Sequence, residues 1–207
     1  MSAAPDQPAP SDTSAPPTAP SIHGHLPRLP PEFYRGTAVV FWTHTVARRR
    51  IGWLDPAFHA TFRELLLHTA ARESLLCPVY TLMPDHGHLI WMGINPASDQ
   101  RRAAAFLRTH LVDHLAPARW QHQPHDSVLR AEERKRGAFM RTCAYVAENP
   151  VRAGLVPSAP AWPFTGCVVP GYPKLHPLAD DFWPKFWRIY SAAIERGSIG
   201  KITASDS

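Results

Sequence analysis

The stretch CPVYTLMPDHGHLIWM, residues 77–92, decides the predicted fold. Its two halves, 77–83 and 86–92, are rich in β-branched, aromatic and aliphatic side chains, which is typical of strands. Pro84 and Asp85 lie between the halves, and both residue types favour turns. We therefore predict two antiparallel strands that are joined by a tight hairpin.

Further elements are expected on both sides of this hairpin. Apolar residues recur at helical spacing in three segments, and a β-branched and aromatic run precedes the first of them. Strands and helices in this order predict an α+β fold, in which helices pack on an antiparallel sheet. The predicted bounds are a strand over 37–46, a helix over 55–72, a helix capped by Ser98 and ending near Leu115, a loop or short edge strand over 120–129, and a helix over 131–148.

Composition divides the 207 residues into one domain and two tails. Residues 1–31 are rich in Pro, Ala and Ser and poor in charged and aromatic side chains, so we predict that they are disordered. Residues 32–193 form the predicted domain, including an aromatic C-terminal extension, and 194–207 form a flexible tail. The sequence contains no apolar run near the ~18 residues of a membrane span and no secretory signal pattern.

Charge and cysteine content narrow the function classes. Lys and Arg number 22 against 17 Asp and Glu, a formal net charge of +5, and most of the cations are Arg. Because Arg binds phosphate through a planar fork of donors, this balance is compatible with nucleic acid, and equally with a bias in codon usage. The three cysteines have no paired spacing, so we predict a reducing, cytoplasmic location rather than a disulfide scaffold.

Two tripeptides read His-Gly-His, and only the second lies in a predicted strand. His23 and His25 belong to the Pro-rich tail, where nothing would hold their imidazoles in place. His86 and His88 flank Gly87 in a strand, so their side chains point to one face of the sheet. Two such imidazoles form half of a metal site, although a structural pair of half-buried histidines has the same spacing.

The predicted helix over 131–148 ends with a phenol and an amide on one face. Tyr145 and Asn149 are four residues apart, and the chain continues with Pro150. If this face turns toward the histidines, Asn149 could supply an oxygen ligand and Tyr145 a nucleophile. The alternatives are a core position for Tyr145 and a helix stop for Asn149.

Three segments together carry a resemblance to a known family. The first resembles the paired-histidine motif of the single-tyrosine HUH transposases. The last resembles the tyrosine motif of one branch, the REP-associated tyrosine transposases, and the middle one is similar to the segment before their catalytic helix. The segments are MPDHGHLI over 83–90, WQ at 120–121 with DSVLR over 126–130, and YVAENPVRAGLV over 145–156.

This resemblance runs from about residue 31 to residue 164 and has two departures. Gly87 stands where the family usually has a bulky apolar residue, and glycine loosens a strand. Asp85 stands where the family usually has Asn, and both of these residues favour turns.

The resemblance implies a ferredoxin-like arrangement of the HUH or RRM type, with a C-terminal catalytic helix. It also implies a transposase, that is, a metal-dependent endonuclease and strand transferase acting on single-stranded DNA with hairpins or palindromic repeats. Tyr145 would form a 5′-phosphotyrosine intermediate. His86 and His88 would bind Mg²⁺ or Mn²⁺, with Asn149 as the candidate oxygen ligand. The protein would act as a monomer or homodimer, away from membranes.

Binding of single-stranded DNA requires cations for the phosphates and aromatic rings for the bases. A solvated face or a place in the core is the alternative for each candidate except Arg152, which lies in the matched motif. The candidate contacts are Arg48, Arg49, Arg50, Arg130, Arg134, Arg136, Arg152, Trp42, Trp91 and Trp120.

Other readings of the same residues stay open. Asp126, His122 and His125 precede the catalytic helix and are candidates for activating the tyrosine. Two other functions compete with the transposase, namely a domesticated protein that binds hairpin DNA without cutting it and a zinc-type hydrolase using the histidine pair. The pair His110 and His114 has zinc-ligand spacing but lacks the acidic residue of an HExxH motif.

Overall fold

The computed structural model describes residues 28–199, and these residues form an α+β fold, as predicted. Residues 1–27 and 200–207 belong to the two predicted tails and lie outside the described part. The strands are β1 (Val39–Thr45), β2 (Leu75–Met83), β3 (His86–Gly93), β4 (His125–Val128) and β5 (Thr165–Val168). The α-helices are α1 (Pro56–Arg72), α2 (Gln100–Leu115), α3 (Ala131–Lys135), α4 (Ala138–Ala147), α5 (Asn149–Arg152) and α6 (Phe182–Ile199).

The five strands form one antiparallel sheet in the order β4-β1-β3-β2-β5. Strands β2 and β3 form the predicted hairpin, with Met83 paired to His86 across the turn. Strand β3 is central, and its His88 lies in register between Thr43 of β1 and Thr81 of β2. His86 and His88 therefore lie at the start of the central strand, with a neighbouring strand on each side.

The sheet separates two hydrophobic cores because its side chains alternate between faces. One face carries Trp42 and Trp91, which are fully buried against helices α1 and α2. The other face carries Val39 and Ile90, which pack with side chains of α4 and α6. By the same alternation, His86 and His88 lie on the second face. Their imidazoles are therefore on the side of the sheet that packs against α4.

The two long helices before β4 begin at side-chain caps. Asp55 caps α1 by accepting a hydrogen bond of 2.7 Å from the backbone N–H of Phe58, at the predicted position. Helix α2 begins one residue later than predicted, because Asp99 and not Ser98 is its N-cap. The Ser98 hydroxyl instead donates to the carbonyl of Ser74 at 2.7 Å, which ties the start of α2 to the start of β2.

The predicted single helix over 131–148 is wrong, because the structure divides it. Gly137 has a φ of 77°, in the left-handed region that favours glycine, and it separates α3 from α4. The pair Asn149 and Pro150 does not end the helical segment but begins α5, since proline is tolerated in the first turn of a helix. Tyr145 thus lies in the last turns of a short helix.

The C-terminal extension packs onto the domain and contains a strand and a helix that the sequence did not predict. Phe182 and Phe186 of α6 are fully buried in the second core, and the Trp162 indole donates to the Leu82 carbonyl at 2.8 Å. Helix α6 continues past residue 193, where we placed the end of the domain. No helix within residues 28–199 has both the length and the apolar character needed to cross a membrane.

His44 is a buried polar residue on the first face of the sheet. It is 3% exposed and lies between the rings of Trp42 and Trp120, with ring centroids 6.2 and 6.0 Å away. Neither of its ring nitrogens has a hydrogen-bond partner among the described residues. Burial, assisted by the charge of Arg108, lowers the pKa of His44 to about 3, so this imidazole is neutral in the folded protein.

We expect His44→Phe to flatten the pH dependence of stability. As the pH falls below about 6.5, the unfolded chain takes up a proton at His44 while the folded chain does not, so stability is lost toward acid. The variant should avoid a loss of about 2–3 kcal/mol between pH 7 and pH 4, measured by urea denaturation at both values. The exposed His114 provides the control His114→Phe. Equal losses in the parent and His44→Phe would contradict this account.

Candidate active site

His86 and His88 converge at the start of β3. Their Nε2 atoms are 3.0 Å apart and their ring centroids are 4.5 Å apart. Two nitrogen ligands in neighbouring positions around one cation, each about 2.1 Å from it, are separated by about 3 Å. The geometry of this pair therefore fits a divalent ion held by both Nε2 atoms.

The other ring nitrogen of each histidine has a partner within the protein. The Nδ1 atom of His86 lies 2.6 Å from Asp85 Oδ1, and the Nδ1 atom of His88 lies 2.9 Å from Thr43 Oγ1. Metal-binding histidines typically use this second nitrogen to fix the ring. Burial, together with the charges of His86 and Arg49, lowers the pKa of His88 to about 3, which keeps it neutral as a ligand must be.

Asp85 has a larger role than that of a turn residue. Its Oδ1 contacts His86, and its Oδ2 accepts from Arg49 Nη1 at 3.1 Å. Burial alone would raise the pKa of Asp85, but the hydrogen bond and charge of His86 and the Arg49 guanidinium lower it below its usual value. The carboxylate is therefore ionised and held between an imidazole and a guanidinium.

Tyr145 of α4 lies over the second face of the sheet beside this pair. Its ring centroid is 5.9 Å from that of His88 and 6.2 Å from that of Phe41. The Arg152 guanidinium lies 4.8 Å from the centre of the Tyr145 ring. Tyr145 is 38% exposed, so part of this residue is accessible to a large substrate.

Asn149 begins α5, one turn beyond Tyr145, and is half-buried. Its side chain makes no hydrogen bond to either imidazole within residues 28–199. No group of three His, Cys, Asp or Glu side chains in that range could hold a metal ion. The described residues thus bring together two imidazole nitrogens that could serve as ligands, and the roles of this pair and of Asn149 stay predictions.

The candidate arginines lie at two ends of the sheet. Residues 48–50 follow β1 and lie beside the hairpin turn, where Arg49 binds Asp85. Arg130 follows β4 at the opposite end, since antiparallel pairing places Val128 next to Val40. The neighbouring Arg134 donates to the Thr37 carbonyl at 3.5 Å. Only the first group and Arg152 lie at the end of the sheet that carries the histidines.

The predicted tryptophan contacts lie in or against the first core. Trp42 and Trp91 are fully buried, which agrees with the core alternative and leaves neither ring available to stack on a base. Trp120 is half-buried and packs against Trp53, with ring centroids 6.3 Å apart, and against His44. It therefore belongs to the face of the sheet opposite Tyr145.

Two of the candidates for activating the tyrosine, Asp126 and His125, lie on opposite faces of β4. Asp126 pairs with Trp42 and points to the first face, where its carboxylate accepts from the Tyr34 hydroxyl at 2.5 Å. That candidacy is wrong, and the alternation of side chains along β4 could have revealed it. His125 pairs with Thr43 and so shares the second face with His88.

Comparison with known proteins supports the fold. No family model matches the chain, and no curated protein matches it. Eight chains of solved structures match, and one of them is the structure of a REP-associated tyrosine transposase bound to a REP hairpin. That match has a TM-score of 0.56 and 19% sequence identity, and it covers 69% of this chain and 81% of the other. The chain shares the α+β fold of that transposase.

Proposed function

We propose that the protein is a transposase-type enzyme that cuts and joins single-stranded DNA beside hairpins, with Tyr145 as its nucleophile. The observation that carries this proposal is the position of the Tyr145 ring, 5.9 Å from that of His88. His88 in turn converges with His86 through their Nε2 atoms. The solved structure with the same fold is bound to a hairpin, which supports DNA of that form as the substrate.

The proposed reaction is a transesterification. The Tyr145 oxygen attacks the scissile phosphorus and loses its proton, while the 3′-oxygen of the upstream strand leaves and takes up a proton. A 5′-phosphotyrosine and a free 3′-hydroxyl result. Attack by another 3′-hydroxyl reverses the exchange and joins two DNA ends, so the enzyme needs no ATP.

The histidine pair would hold a divalent cation, Mg²⁺ or Mn²⁺, and imidazole ligands suit Mn²⁺ better. When bound there, such an ion supplies Lewis-acid polarisation of the scissile phosphate. The amide of Asn149 and oxygens of the DNA are the proposed remaining ligands. Arg152, whose guanidinium lies 4.8 Å from the centre of the Tyr145 ring, is the proposed contact for the phosphate that Tyr145 attacks. We propose a cytoplasmic enzyme.

A covalent adduct assay tests this function. The protein is mixed with Mn²⁺ and a hairpin single strand that is labelled at its 5′ or its 3′ end, and the products are separated on a denaturing gel. The 3′ label should move with the protein, and the 5′ label should appear on a shortened strand. Binding without an adduct would instead identify a hairpin-binding protein without cleavage activity.

We expect hairpin affinity to depend on salt through the arginines beside the hairpin turn. Arg48 and Arg50 are exposed and form no ion pair among the described residues. Replacing both by Gln should reduce the slope of log affinity against log salt by about 1.4, because each phosphate contact in a single strand contributes about 0.7. Fluorescence anisotropy over a salt series measures the slope.

The control for this experiment is Arg63→Gln with Arg101→Gln. Both residues are exposed, and they lie on α1 and α2, which pack on the opposite face of the sheet. The control should therefore keep the slope of the parent. If the two double variants change the slope equally, the arginines beside the turn do not form the DNA contact.

A further inference from the structure

The two histidines of the proposed site have partners of different kinds. The Asp85 carboxylate can only accept a hydrogen bond, so its 2.6 Å contact fixes a proton on Nδ1 of His86. The Thr43 hydroxyl, 2.9 Å from Nδ1 of His88, can either donate or accept. The tautomer of His86 is therefore fixed, whereas that of His88 can change.

The contact between the two Nε2 atoms bears on where the imidazole protons lie before a cation binds. When each ring carries a single proton, that of His86 is on Nδ1, and its Nε2 carries a lone pair. Nε2 of His88 then donates across the 3.0 Å contact, and Thr43 donates to Nδ1 of His88. A bound cation needs both lone pairs, so His88 would release its Nε2 proton to solvent and take up a solvent proton on Nδ1, while the Thr43 hydroxyl turns to accept.

Asp85 is itself fixed by a strained turn. Arg48 and Arg49 have φ values of 58° and 52°, a region that residues other than glycine rarely occupy. Two such residues in succession lower the stability of the folded chain. Strained backbone of this kind is often found where a turn positions a functional group. The turn places the Arg49 guanidinium 3.1 Å from Asp85, which leaves the other carboxylate oxygen directed at His86.

We infer that Asp85 and Thr43 are positioning residues for the cation, Asp85 as a fixed acceptor and Thr43 as a reversible partner of His88. Through Thr43, His88 exchanges its Nε2 proton for the cation without leaving a buried nitrogen unpaired. This inference rests on the proposed function, because it concerns the same histidine pair. It predicts cation affinity rather than cleavage, so the two can fail separately.

Titration of Mn²⁺ into the full chain, followed by electron paramagnetic resonance, tests both residues. Asp85→Ala and Thr43→Val should each weaken Mn²⁺ binding by about 10- to 100-fold, the usual effect of removing a group that orients a metal ligand. Thr43→Ser keeps the hydroxyl and should keep affinity close to that of the parent. Parent-like affinity in either of the first two variants, or no Mn²⁺ binding by the parent, would overturn the inference.

Two control variants make the same chemical changes elsewhere. Asp113 is exposed on α2, so Asp113→Ala removes one carboxylate away from the site. Thr45 lies two residues beyond Thr43 on β1, and Thr45→Val makes the same replacement without removing a hydrogen bond to an imidazole. Both controls should bind Mn²⁺ within about twofold of the parent.

Imidazole ¹⁵N NMR reads the tautomers directly. In the metal-free protein, His86 should carry its proton on Nδ1 and His88 on Nε2. Adding diamagnetic Zn²⁺ should move the His88 proton to Nδ1 and leave that of His86 in place. A metal-free His88 already protonated on Nδ1 would overturn the exchange. If the protein shows this pattern but forms no DNA adduct, the proposed enzymatic function is contradicted and this inference is supported.

Discussion

Tyr145→Phe is expected to abolish cleavage of a hairpin single strand while binding persists. The change removes only the hydroxyl that would attack phosphorus, and the ring keeps its packing beside His88 and Arg152. Loss of a nucleophile costs on the order of 10³-fold or more in rate. Single-turnover cleavage of an end-labelled hairpin in Mn²⁺ measures this loss, and anisotropy measures binding.

The matched control is Tyr172→Phe. Tyr172 is also exposed, at 45%, but it follows β5, at the end of the sheet far from the histidines. Cleavage by this variant should equal that of the parent. A Tyr145→Phe protein that cuts at the parental rate would show that the nucleophile is another group.

The second large effect is expected from His86→Ala combined with His88→Ala. Without the two Nε2 atoms, the proposed cation has no nitrogen ligands and should not bind. The negative charge that develops on the phosphate in the transition state would then no longer be stabilised by a Lewis acid. Cleavage should fall on the order of 10³-fold, and Mn²⁺ should no longer increase the rate. Rates measured over a Mn²⁺ series and in a chelator give the comparison.

The chain offers a second histidine pair for the control. His110 and His114 lie on one exposed face of α2, with the i, i+4 spacing of zinc ligands. Replacing both by Ala should leave Mn²⁺-dependent cleavage intact. Parental cleavage in the presence of a chelator would exclude a metal from the mechanism, whatever the variants do.

Much of the sheet could be predicted because its patterns are local. The hairpin over 77–92 has strand residues on both sides of a Pro-Asp turn, and β2 and β3 occupy nearly the predicted bounds. The alternation of a strand also places His86 and His88 on one face without knowledge of the rest of the fold. The cap formed by Asp55 is also a local interaction, because a capping side chain contacts only the first turn of its helix.

The elements that sequence analysis missed depend on distant partners. Strand β5 has four residues and is defined by its pairing with β2. Helix α6 buries Phe182 and Phe186 against the second core, so packing rather than intrinsic propensity stabilises it. The helical periodicity of residues 131–148 runs through Gly137, and the left-handed conformation of this residue has no signature in that pattern.

The sequence by itself determined which residue types could form the site, and it placed the two histidines on one strand face and Tyr145 near the end of a helix. Only the tertiary structure decided what surrounds them. It buried Trp42, turned Asp126 to the opposite face, and set Thr43 against His88. These outcomes depend on strand register and on helix packing. Both bring together residues that are far apart in the chain, so a local sequence pattern does not predict them.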